Sequence, residues 1–128
     1  DADLRTEFVR QRLSRQITHN YSDDEGVIHF VGLSATAEQV LLRGVQTAEG
    51  RAPNLVLEPD HARQLILQLR EKTESHGGPG QAIVLCPPLA RGALRRLVER
   101  VLPRIAIVSS AELLPAVQLD AVGTVEFA

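Results

Sequence analysis

Cys86 is the only cysteine among the 128 residues, and it closes an apolar run just ahead of a helical stretch. A thiol at a helix N-terminus can have a lowered pKa and act as a nucleophile. The residues around it do not complete that chemistry. A phosphatase-like Cys-x₅-Arg loop needs arginine at position 92, which is Gly92; Arg91 comes one place early. Pro87 and Pro88 remove two backbone N–H donors from the turn that would cradle an anion. There is no second cysteine for a Cys-x-x-Cys pair, a disulfide framework or a Cys-based zinc site. Cys86 reads as a small buried hydrophobe at a strand end. The alternative is a small α/β enzyme that uses it.

Other candidate sites are equally incomplete. His76-Gly77-Gly78 has the look of an α/β-hydrolase oxyanion loop, but the Gly-x-Ser-x-Gly elbow that such a fold requires is missing. The Gly77–Gly80 cluster is no Walker loop, because no Gly-Lys-Ser/Thr follows; it reads as a helix terminator. His19, His29, His61 and His76 show no His-x₃-His spacing, so neither a metal nor a cofactor is expected. Asp23, Asp24 and Glu25 precede a glycine and read as a solvated acidic turn.

The strongest pattern is electrostatic. Between Ala82 and Arg104 stand five arginines against one glutamate, a net +4 in a chain of net charge −2. At 100° per residue, Leu94, Leu97, Val98 and Val101 fall on one side of a helix, and Arg91, Arg95, Arg96 and Arg100 on the other. The bland reading is a solvated helix face. The sharper one is a protein-interaction surface for an acidic partner, carried by Arg91, Arg95, Arg96 and Arg100.

These residues need elements to hold them. Residues 4–18 read as a helix with Val9, Leu13 and Ile17 in one apolar stripe amid Arg5, Arg10, Arg12 and Arg15. Such a helix must pack against something, which the chain itself need not contain. After the turn at 21–26, Val27–Leu33 reads as a strand. Ser34 caps a helix running to about Gln46, with Val40, Leu41 and Val45 inward. Residues 48–54 read as loop and 55–57 as extended. Pro59 and Asp60 open a helix whose buried face is Ala62, Leu65, Ile66 and Leu69. Ala82–Cys86 is a continuous apolar run, as expected of a strand covered on both faces. A helix over 89–102, stopped by Pro103, leads to a second such run at Ile105–Val108, so 82–108 is a βαβ unit. Ser109 and Glu112 have capping-box spacing, and Leu119–Phe127 reads as a last strand. The expected fold is α/β: a small, mostly parallel sheet with packed helices, preceded by an N-terminal helix.

Composition narrows the function. Only 3% of residues are aromatic (Phe8, Phe30, Phe127 and Tyr21), too few for a base-stacking platform. A pI near 6.1 argues against nucleic acid as the partner. Nowhere do 18 apolar residues run together, so no membrane contact is expected. The absence of methionine and an end within a strand-like run read as a fragment of a longer protein.

The order of these features resembles the FlhA/SctV export-gate family of type III secretion. The stretch VRQRLSRQITHNYSDDEGVIHFVGLSATAEQVL (Val9 to Leu41) is similar to the family's VR-x-x-L-x-R-x-I segment and the capped helix after it, with Ala35 where proline is common. In the second half, Arg91, Arg95, Leu97, Arg100, Pro103, Ser109, Glu112, Leu113 and Val122–Val125 follow the family's order and spacing. The closing Val-Gly-Thr-Val inclines the resemblance to the injectisome (virulence) branch.

The resemblance implies the cytoplasmic part of a bacterial inner-membrane protein, not an enzyme, helping to form a ring of nine. Its implied partners are neighbouring export-gate subunits, the ATPase stalk protein and chaperone–substrate complexes. It also implies a division of the chain: 1–20 as a helix of the preceding, third cytosolic subdomain, and 21–128 as the C-terminal α/β subdomain. A regulatory partner-binding module outside secretion is the other alternative.

Overall fold

The computed structural model describes residues 2–76 and 81–128. Its centre is a four-stranded sheet in the order β5-β4-β1-β6, built from β1 (Val27–Leu33), β4 (Ile83–Cys86), β5 (Ile107–Ser109) and β6 (Gln118–Val125). Every neighbouring pair in it is parallel. Each strand-to-strand link is therefore a crossover, and helices cover the sheet.

Side chains of opposite parity enter two separate cores. Val31, Val84, Cys86, Ile107 and Val125 meet α3 (Ala35–Gly44), α4 (Pro59–Glu74) and α5 (Pro88–Val98) through Leu41, Leu65, Leu69, Ala93, Leu94 and Val98. Ile28, Ile83 and Val108 point the other way, under Ile17, Tyr21, Leu113 and Val117. Residues 83 and 84 are both fully buried, one in each core. That is why the run Ala82–Cys86 does not alternate.

Local chemistry sets the element ends. Ser34 Oγ accepts the Ala37 N–H at 3.1 Å and starts α3. It ends at Gly44, where the chain passes so close that a Cβ would lie 2.5 Å from the Val56 carbonyl oxygen. Pro59 opens α4 at its first turn. Beyond β6, α4 holds the chain end: Gln68 donates to the Glu126 carbonyl at 2.7 Å and accepts its N–H at 3.0 Å.

Three features depart from expectation. Residues 48–54 are not all loop, since β2 (Val45–Ala48) and β3 (Arg51–Leu55) form an antiparallel hairpin. Gly50, at φ +73°, turns it. The helix expected to reach Leu102 ends at Val98, and Val101 N–H turns back to the Val98 carbonyl in a tighter, 3₁₀-type bond. The N-terminal helix is two, α1 (Ala2–Arg12) and α2 (Ser14–Tyr21). They kink at Leu13, whose N–H is shared between the Val9 and Arg10 carbonyls at 3.1 Å each.

Candidate interaction surface

Cys86 lies at the end of β4 under α5 and is 3% exposed. Burial pushes its thiol up to about 12, a shift that the nearby Arg91 opposes only in part. It is a protonated thiol at neutral pH and packs as an apolar group. The oxyanion-loop and terminator readings of Gly77–Gly80 lie outside the described residues. Among the described residues, no three His, Cys, Asp or Glu side chains are grouped to hold a metal.

The acidic turn is more structured than its sequence suggests. Asp23 Oδ1 accepts the N–H groups of Glu25 (2.8 Å) and Val27 (3.0 Å), closing the turn into β1. Asp23 Oδ2 lies 2.7 Å from His29 Nε2, and His29 Nδ1 lies 2.8 Å from Asp120 Oδ2. With a carboxylate at each ring nitrogen, the arrangement favours the doubly protonated ring, in which both nitrogens donate. The hydrogen bond to Asp120, then that to Asp23, holds the His29 pKa above its ordinary value. The Val27 N–H, then His29, holds the Asp23 carboxyl below its own. The His76 ring sits 4.6 Å from that of His29. The cluster ties the starts of β1 and β6 together.

The arginines do not share one solvated face. Arg91 is only 8% exposed, which corrects the expectation that it stands outward. Its Nε and Nη2 donate to the two carboxylate oxygens of Glu7 at 2.8 and 3.0 Å, a bidentate pair. Its Nη1 donates to the Ile107 carbonyl at 3.4 Å. Arg95 donates to the carbonyls of Ile105 (3.0 Å) and Pro103 (3.3 Å) and so closes the C-terminal end of the α5 turn. Arg96 holds Asp3 through both carboxylate oxygens, at 2.8 and 2.7 Å. Arg100 is exposed and has no ion pair among the described residues. On the apolar side, Leu94 and Val98 are buried as expected, together with Ala90 and Ala93, but Val101 is half-exposed because it lies beyond the helix end.

A second buried charge was legible only in half. Glu112 is fully buried. Its Oε1 accepts the Ser109 N–H at 2.7 Å, the back-bond expected from the capping box. Its Oε2 pairs with Arg10 of α1. Sequence spacing could signal the first contact; the second, 102 residues apart, has no local signal.

Together these pairs dock α1 in reverse. Asp3, Glu7 and Arg10 face the α/β body, and no residue of α1 is buried. Leu4, Phe8, Val9 and Leu13 are 71, 59, 53 and 48% exposed. Beside α1 runs an apolar groove of about 460 Å³ whose walls include Leu4, Leu42, Val45, Pro53 and Leu89.

The fold and this surface define a small parallel-sheet α/β scaffold that exposes charge and apolar area and keeps its one cysteine in the core. The chain belongs to the FHIPEP family, whose model matches residues 1–118. It is 32% identical over 127 residues to the flagellar biosynthesis protein FlhA of Bacillus subtilis, covering 98% of this chain and 19% of that protein. It is 31% identical over 126 residues to Protein hrpC2 of Xanthomonas euvesicatoria, with the same 98% and 19% coverage. The chain thus spans about one fifth of the length of these relatives.

Two solved structures share the fold. A chain in the structure of the Chlamydia pneumoniae CdsV and CdsO protein complex matches with a TM-score of 0.83 at 27% identity, over 98% of this chain and 37% of that one. The nonameric EPEC SctV-C structure matches with a TM-score of 0.82 at 22% identity, again over 98% and 37%.

Proposed function

We propose that this chain is a cytosolic piece of a type III secretion export gate, where it works without catalysis as a protein–protein interaction module. It helps form the export ring with neighbouring subunits and engages the ATPase stalk protein or chaperone–substrate complexes. The observation that carries this reading is the family match over residues 1–118. Support comes from the fold shared with a chain of the CdsV–CdsO complex and with a nonameric SctV-C. Among the described residues no helix is long and apolar enough to cross a membrane. The reading places this piece on the cytoplasmic side of an inner-membrane protein.

The same reading divides the chain at residue 20. Residues 1–20 belong to the preceding subdomain, and the outward Leu4, Phe8, Val9 and Leu13 are the face that packs on it. Residues 21–128 are the C-terminal α/β subdomain. Arg95 and Arg96, on a helix that Arg91 anchors from beneath, and Arg100, just past its end, remain partner-facing. The injectisome branch is kept on the closing Val122–Val125; identities of 32% and 31% to FlhA and hrpC2 do not separate the branches.

The test is secretion by cells whose full-length protein lacks residues 21–128. The reading expects export to stop while the truncated protein is still made and inserted in the membrane. Export at the wild-type level would overturn it.

A further inference from the structure

Four arginines from three parts of the chain line one concave pocket of about 280 Å³. Arg10 comes from α1, Arg91 and Arg95 from α5, and Arg104 from the turn that follows; Tyr21 and Gln81 complete the polar lining. Two of the four charges are balanced, Arg91 by Glu7 and Arg10 by Glu112. The other two are not. Arg95 is bonded to neutral carbonyls, and Arg104 is exposed, with no ion pair among the described residues.

The walls are also fixed in place. The Arg91 side chain is 10% exposed and held on both sides, by Glu7 and by the Ile107 carbonyl. The turn carrying Arg104 is pinned by Arg95 at the Pro103 carbonyl and by Gln81, whose Nε2 donates to the Arg104 carbonyl at 3.0 Å. Guanidinium groups held as those of Arg91 and Arg95 are lose little freedom on binding, and their planar donors match a carboxylate.

We propose that this pocket receives a carboxylate side chain from an acidic segment of a partner protein. The proposal rests on the interaction-module reading above and names the chemistry of one contact. The pocket's volume of about 280 Å³ accommodates an acidic side chain, and the partner's neighbouring residues lie along the rim. Inorganic phosphate shares the chemistry and is the competing source.

The test titrates the purified 128-residue chain with a hexaglutamate peptide, followed by backbone amide NMR shifts, with inorganic phosphate at matched ionic strength in parallel. Arg104→Gln breaks no internal pair and serves as the site variant; Arg51→Gln, exposed on the β2–β3 hairpin, serves as the control. The proposal expects shifts concentrated at Arg95 and residues 103–107. It expects affinity lowered roughly threefold or more by Arg104→Gln, no change with Arg51→Gln, and weaker binding of phosphate than of peptide. It is overturned if the peptide does not bind, if both variants weaken it equally, or if phosphate saturates the same amides at the peptide's concentration. Failure here leaves the export-gate reading standing, since that is judged by secretion.

Discussion

Helices α1 and α5 lie against each other, yet they are held by opposite forces. α5 buries Ala90, Ala93, Leu94 and Val98 in the core and lets its arginines reach sideways. α1 turns its carboxylates and Arg10 inward and leaves Leu4, Phe8 and Val9 in solvent. The apolar side of α5 is buried within the described residues, whereas no residue of α1 is buried. The α1 contact is made of charges, so it responds to salt where the core face of α5 does not. A helix attached in this way leaves its large apolar side chains exposed.

The largest effect should come from the core side. Leu94→Ala removes a fully buried side chain and should cost about 2–5 kcal/mol in urea unfolding. The matching change in α1, Phe8→Ala, should stay within about 0.5 kcal/mol, as for an exposed residue. Equal losses would erase the comparison.

Next is Glu112→Gln. It leaves Arg10 without its partner and weakens the bond to the Ser109 N–H. A loss of about 1–3 kcal/mol is expected, because Glu112 is buried. Amide exchange in α1 should speed up more than in α5.

Arg96→Ala is smaller, about 0–1 kcal/mol, since the pair with Asp3 is partly exposed. The loss should shrink in 1 M KCl, where the screening length is about 3 Å.

The sheet edge supplies a pH control that involves neither ion-paired helix face. His29 has a raised pKa, so its contribution is complete below the unfolded value of 6.5 and is lost as pH rises through the folded one. Asp23 has a lowered pKa, so its contribution is present above 3.8 and is lost as pH falls through the folded value. Stability from this cluster is therefore greatest in mild acid. His29→Gln should flatten the fall in melting temperature between about pH 5.5 and pH 8.5.

Much of the scaffold was written locally. The bounds of β1, the Ser34 cap, the Pro59 start and the 82–108 βαβ unit each depend on residues a few positions apart. What sequence could not show depends on distant partners. Arg91 is buried because Glu7, 84 residues earlier, neutralises it. The β2–β3 hairpin hides in a polar stretch with Pro53 in its second strand, and Gly50 was its one strong turn signal. Asp23 reads as solvated although its partners Glu25, Val27 and His29 lie within six residues; only Asp120, on the far side of His29, is distant in sequence. The candidate surface was half visible: the arginines were found, but not which of them the fold consumes.

The most direct test of electrostatic docking is native-state amide hydrogen exchange of α1 and α5 at low salt and in 1 M KCl. Screening should loosen a helix held by charges and spare one held by apolar burial. The account predicts that protection in α1 falls severalfold at high salt while that of α5 is unchanged or rises. Equal responses in the two helices, or α1 protection unmoved by salt, would contradict it.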